Sequence, residues 1–327
     1  MAISTSIRGA VLDLGSNSFK IMLAEQRGNI LTLFKEKAEV TRLGHSVALS
    51  GELHPKAIKR SLKVLNDYRK EVENFQPEQI VITGTSAFRT AINREVLLLA
   101  IRELFGTSVK VLSGSKEGKL IYQGLSTHSK WAKQNLINLD LGGGSIEIIH
   151  GRNGKALASE SFTLGCVRMR DLFFDHQPIH PTAILRAKRQ IVEVIHKATE
   201  KYAPLKMLLT ATGGSMGNLC AIFGMRNKKK LGVEGFSMSY DDMNMFLDLL
   251  APLSLKRLRA VPGMPADRAD LMVPALVVFT TCMELLKAPA IHYASRGLRY
   301  GLWKEWICNT PFDRIISLEG KSHNPNK

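Results

Sequence analysis

Hydrophobic and polar positions along this 327-residue chain follow two alternating periods, and the second half of the chain repeats the order of the first. The run VLDLG from residue 11 ends in a polar turn. Two more apolar-rich runs follow, FKIMLAE and ILTLFKEKAEV, separated by the turn-forming QRGN, and this spacing predicts three consecutive strands. Over 54–75 the period changes: Ile58, Leu62, Leu65, Tyr68, Val72 and Phe75 recur every three or four residues among lysines and glutamates, which predicts an amphipathic helix. A short strand at 79–84, a helix over 93–106 stopped by Gly106, a strand over 108–114 and a helix opening at SKEGKLIYQGL complete a β-β-β-α-β-α-β-α order.

That order restarts at LINLDLG. IEIIHG and KALASESFTLG read as the next strands, 181–202 as a helix and 206–214 as a strand. Helical segments from SMGNLCAIFGM to CMELL then enlarge the second copy before a strand at 290–295 and a helix at 297–308. The pattern predicts two related α/β lobes, 1–127 and 128–308, the second with a helical insertion, joined through the polar STHSKWAKQN and followed by a flexible tail over 309–327. The most apolar stretch, 271–286, is shorter than a membrane span and carries Pro274 and Glu284, so it reads as a buried helix. No signal-peptide core precedes Asp13, and no membrane partner is expected.

Charge narrows the partners. With 45 lysines and arginines against 29 aspartates and glutamates, the net charge of +16 attracts polyanions. The basic residues are dispersed except for RNKKK at 226–230 and lack an aromatic stacking platform, so specific nucleic-acid binding is not expected. Four scattered cysteines without a C-x-x-C pair suggest neither a zinc site nor a disulfide frame, and a cytoplasmic location fits.

One word recurs. Asp-Leu-Gly-X-X-Ser occurs at 13–18 and again at 140–145, 127 residues later, each time between two strands. Gly-rich turns can wrap phosphate oxygens with backbone N–H groups, but the P-loop and dinucleotide versions lead from strand to helix, so neither applies. An aspartate beside bound phosphate calls for a cation between them, and hard oxygen ligands suit Mg2+ or Mn2+. Asp13 and Asp140 are the candidate ligands, with Glu147 on the same strand face as Ser145. Four further turns, at 84–90, 113–119, 212–218 and 295–301, fall where strands give way to helices, where anions collect. Arg89, Arg296 and Arg299 would add positive charge there, and Glu117 is either a helix-dipole partner or a base for water.

Taken in order, DLGSNSF, GTSAFR, SGSKEGKLIYQG, DLGGGSIE, LGCVRM, ATGGSMGNL and GLRYGL resemble the exopolyphosphatase / guanosine pentaphosphate phosphatase family from about residue 8 to residue 305. The resemblance implies two ribonuclease-H-like lobes of the actin, sugar kinase and heat-shock ATPase fold flanking a central cleft. It implies a metal-dependent hydrolase acting on inorganic polyphosphate or guanosine pentaphosphate, with Glu117 activating water, Asp140 and Glu147 beside the metal, and a possible homodimer. The implied phosphate cradle comprises Gly15, Ser16, Asn17, Ser18, Gly142, Gly143, Gly144 and Ser145, with Arg89 and the second-lobe turn Gly213, Gly214 and Ser215. Three positions depart from the family pattern, Lys116 before the catalytic acid, Lys119 after it and Tyr300 where GLRYG stands for GLREG; Lys116 is expected to favour ionised Glu117. A kinase-like ATP-binding protein and a non-catalytic polyanion binder are the rival readings.

Overall fold

The computed structural model describes residues 6–205, 207–226 and 234–318. The first lobe opens with three strands, β1 (Ser6–Leu14), β2 (Ser18–Arg27) and β3 (Ile30–Val40). Helices α1 (Val47–Ser50) and α2 (Pro55–Phe75) lead to β4 (Gln79–Gly84); α3 (Ser86–Thr90) and α4 (Glu95–Phe105) lead to β5 (Lys110–Val111) and α5 (Gly114–Leu125). After α6 (Ser129–Ala132) the second lobe repeats the plan with β6 (Asn135–Leu141), β7 (Ile146–Arg152), β8 (Lys155–Phe162), α7 (Cys166–Phe173), α8 (Pro181–Glu200), β9 (Leu208–Thr212) and α9 (Gly214–Arg226). The insertion contributes β10 (Ser237–Ser239), α10 (Tyr240–Leu250), α11 (Leu255–Arg259) and α12 (Ala269–Leu285), before β11 (Ala290–Tyr293), α13 (Leu298–Trp306) and β12 (Arg314–Ser317).

The two sheets are ordered β12-β3-β2-β1-β4-β5 and β10-β11-β9-β6-β7-β8. Stripped of β12 and β10, each is a three-stranded antiparallel meander whose first strand pairs in parallel with the fourth. The repeated word is thus a repeated sheet. Core packing follows the predicted faces: α2 buries Leu65, Tyr68, Val72 and Phe75, and α12 is apolar all round because it runs through the middle of the second-lobe core.

Two expectations change. The tail predicted as flexible over 309–327 is ordered as far as Leu318, because Phe312 is buried and β12 adds a parallel strand to the open edge of β3. Four residues of strand were too short a pattern to read, and residues 319–327 lie outside the described residues. The polar linker at 125–135 is pinned by Trp131, which is buried and donates to Glu234. The basic run at 226–230 falls outside the described residues beyond the backbone of Arg226.

The lobes also exchange helices. α5 lies on β7 and β8 of the second sheet, whereas α13 lies on β1 of the first, and the two helices cross in contact. Glycine permits the crossing: a methyl group on Gly301 would overlap the Leu120 carbonyl, and one on Gly124 would overlap the Gly297 carbonyl. Gly301→Ala is therefore expected to lower stability by about 1–3 kcal/mol through overpacking against backbone that cannot yield, read as a fall in Tm.

Candidate active site

The cleft between the sheets has a volume of about 280 Å³ and is lined by the ends of β1 and β6, both repeated turns, and residues from all four of the other turns singled out in the sequence. Each repeated turn closes on itself, Gly15 N–H donating to the Ser18 carbonyl at 3.1 Å and Gly142 N–H to that of Ser145 at 3.0 Å. The inner amides, 16–17 and 143–144, are the donors these turns have to offer an anion. The turns meet tip to tip: a Cβ on Gly143 would sit 2.9 Å from the Asn17 nitrogen, and one on Gly144 would overlap Ser86 Oγ. Close approach, and not a left-handed backbone, is what requires glycine here. Gly213 is different, with φ of 91° and its Cβ position 3.1 Å from Asp140 Oδ1.

Sheet register makes the halves comparable atom for atom. Asp13 lies opposite Lys20 on β2 and Thr83 on β4, as Asp140 lies opposite Glu147 on β7 and Thr212 on β9. The charge opposite the aspartate is reversed between the lobes. Lys20 Nζ donates to Asp13 Oδ2 at 3.2 Å, and Thr212 Oγ1 donates to Asp140 Oδ2 at 2.5 Å. Burial raises the Asp140 pKa, opposed by the Thr212 hydroxyl and Lys20.

Glu117 enters from the first turn of α5, whose N-cap Ser113 accepts from the Lys116 amide. It is 7% exposed, and desolvation lifts its pKa to about 7 against the opposing pull of Arg89, with Asp13 and Asp140 pushing it further up. Arg89 Nη1 donates to Glu117 Oε2 and to the Leu112 carbonyl; its Nη2 donates to Ser145 Oγ at 3.3 Å and lies 3.8 Å from Glu147 Oε1. Glu147, 1% exposed, accepts from Ser161 Oγ at 2.7 Å, and its pKa lies well above the usual range through burial and the Glu117 charge. The result is a buried carboxylate–guanidinium–carboxylate bridge at the seam of the lobes.

The structure brings Asp13, Asp140, Glu117, Gly15 to Ser18, Gly142 to Ser145, and Gly213 to Ser215 to one cleft. It places Arg89 and Glu147 behind that lining, where each engages the other and Glu117. Arg299 borders the cleft but pairs with Glu36 at 2.8 Å, and Arg296 donates to the Thr127 carbonyl. Lys116 departs from its expected role: it turns away from Glu117 to pair with Glu305 on α13, and Glu117 answers to Arg89 instead. Sequence reasoning missed Arg268, whose Nη2 reaches across to Ser18 Oγ at 3.0 Å beside Gly214. It precedes an apolar helix without a Gly-rich turn, so only its DRAD charge pattern could have marked it. Asn218, also in the cleft, carries a buried side-chain nitrogen with no protein partner.

The donor set fits a divalent ion of the magnesium type. Asp13 and Asp140 both line the cleft, and the Lys20 ammonium is bonded to Asp13 while its charge favours the ionised form of Asp140. Among the described residues no three acidic, histidine or cysteine side chains form a ready cage.

The fold belongs to the class with two ribonuclease-H-like lobes flanking a central cleft. Within that class the chain belongs to the Ppx/GppA phosphatase family, whose profile matches residues 21–309. A putative exopolyphosphatase of Haemophilus influenzae is 26% identical over 90% of this chain and 89% of its own length. A guanosine-5'-triphosphate,3'-diphosphate pyrophosphatase of Photobacterium profundum is 32% identical over 91% of this chain, which spans 59% of that longer relative. The crystal structure of an exopolyphosphatase from Cytophaga hutchinsonii superposes with a TM-score of 0.84 at 24% identity, covering 91% of this chain and 97% of the other.

Proposed function

We propose that the protein is a metal-dependent exopolyphosphatase that removes the terminal phosphate from inorganic polyphosphate. The observation that carries this reading is the pairing of two phosphate turns, tip to tip, with a buried glutamate whose pKa of about 7 suits general-base work near neutrality. The inner amides of 16–17 and 143–144 hold the terminal phosphoryl oxygens, and Arg268 adds a fixed positive charge from the second lobe. Glu117, held at Oε2 by Arg89, takes a proton from water on its other oxygen. The water oxygen bonds to phosphorus as the anhydride P–O bond breaks, and the shortened chain leaves with the bonding electron pair. Asp13 and Asp140 would hold a divalent ion, which would supply charge neutralisation on the phosphoryl oxygens.

Hydrolysis of guanosine pentaphosphate to the tetraphosphate is the second reading. It is favoured by the cleft wall beyond the acids, where Ile121, Tyr293, Leu298 and Tyr300 present apolar and aromatic surface that a bare phosphate chain does not need. The cytoplasm suits either substrate, and all four cysteines are free thiols. Among the described residues no helix is long and apolar enough to cross a membrane.

The test is phosphate release by purified protein from tripolyphosphate, long-chain polyphosphate and guanosine pentaphosphate, with Mg2+, Mn2+ or chelator. Release from polyphosphate that stops on chelation is expected. Release from the nucleotide alone moves the assignment to the second reading, and release from none overturns both. In the same assay Asp13→Asn and Asp140→Asn are each expected to raise the half-saturating metal concentration at least about tenfold, since each removes one of two carboxylate ligands; an unchanged metal titration would remove them from the ion's coordination.

A further inference from the structure

Each phosphate turn is braced from behind by backbone amides. In the first lobe, Thr41 and Arg42 N–H donate to the Asn17 carbonyl at 3.0 and 2.9 Å, and Gly44 N–H donates to that of Ser16 at 2.6 Å. In the second lobe, the first turn of α7 does the same: Cys166 N–H donates to the Gly142 carbonyl at 3.0 Å, and Val167 N–H to that of Gly143 at 2.8 Å. Carbonyls held backward in this way turn the neighbouring amides toward the cleft. The two braces are then bonded to each other. Asp171 of α7, its carboxylate buried, accepts from the Ser46 amide at 2.8 Å and lies 2.9 Å from His45 Nδ1. Arg42 forks onto both oxygens of Asp270 at 2.7 and 2.8 Å and donates to the Asp267 carbonyl at 2.8 Å, next to the cleft residue Arg268. Arg170 completes the network, 2.9 Å from Asp171 and 3.7 Å from Asp270.

We propose that the 41–46 segment is a positioning strap: through Arg42 and His45 it ties the brace of one phosphate turn to the brace of the other and so sets the gap in which the terminal phosphoryl group is held. Arg42 and His45 touch no reacting atom. The role rests on the phosphohydrolase reading of the cleft but is separable from it, because the strap is bonded without any ligand. A bidentate arginine–carboxylate pair is specific in geometry as well as charge, so lysine in place of Arg42 keeps the charge and loses the fork.

The experiment compares wild type with Arg42→Ala, Arg42→Lys and His45→Ala, in two arms. By solution X-ray scattering of substrate-free protein, Arg42→Ala is expected to give a larger radius of gyration than wild type, with Arg42→Lys between them. By steady-state hydrolysis of tripolyphosphate, Arg42→Ala and His45→Ala are expected to raise KM about tenfold or more, with kcat changed less, as for loss of one charge-assisted hydrogen bond that orders a binding surface. Variants that scatter like wild type and keep its KM overturn the strap, even if their Tm falls. If wild type hydrolyses nothing, the function reading fails while the scattering arm still decides the strap. Should Arg42→Ala not fold, Arg42→Lys, which retains the charge, carries both arms.

Discussion

Glu117→Gln protein is expected to release phosphate about 10²–10⁴ times more slowly than wild type, the range general-base catalysis supplies. Tripolyphosphate binding should persist, because the amides and Arg268 that hold the phosphate are untouched. The pH dependence follows from the raised pKa. With Glu117 at about 7, its basic form grows as pH rises through 7, so wild-type kcat/KM climbs over that interval and loses this limb in the variant. Stability runs the other way. A carboxyl whose folded pKa exceeds its unfolded value favours folding at low pH, and that contribution disappears as pH rises from about 4.5 through 7. Replacing it by the neutral amide is therefore expected to raise Tm relative to wild type at pH 8 more than at pH 5. A rate–pH profile of the same shape in both proteins, or equal rates, would dismiss Glu117 as the base.

Arg89→Met is expected to cost about 3–5 kcal/mol, the scale for removing one partner from a buried ion pair, because it strands Glu117 and Glu147 together without a countercharge. Both acids should then bind protons more tightly. The rising limb of kcat/KM is expected to move to higher pH, since the loss of Arg89 removes the main influence that holds the Glu117 pKa down. Thermal melts and rate–pH profiles check the two effects separately. A stable variant with an unmoved limb would show that Arg89 acts on bound phosphate instead of on the acids behind the cleft.

The doubling of the site was legible because the repeat is local: a strand, a turn and a strand identify themselves by period and by glycine, and residues 13–18 and 140–145 announced both halves. Glu117 was legible for the same reason, standing at a strand-to-helix turn. Roles that depend on a distant partner were not. Arg89 reads as a phosphate ligand in isolation, and only the folded chain brings it to Glu117 and Glu147, 28 and 58 positions away. Lys116 reads as a neighbour of Glu117, yet adjacent helical positions point different ways, and α13 supplies Glu305 to draw it aside. Arg268 immediately precedes α12 and Asp171 lies on α7, and their value comes from which loop of the other lobe they meet. β12 was hidden because a four-residue strand acquires meaning only from the edge it covers.

That strand and the crossing helices have a consequence for how the molecule holds together. Tracing the backbone, the first lobe is begun before the second and finished after it, with α13 and β12 returning to the sheet that β1 opened. A fragment ending at residue 127 would carry α5 without the sheet it rests on and would leave Gly9 facing an empty slot where Trp303 and Ile307 belong. Neither half is a self-sufficient module. The protein resembles two hands with interlaced fingers, and a thermal melt is expected to show one cooperative transition instead of two.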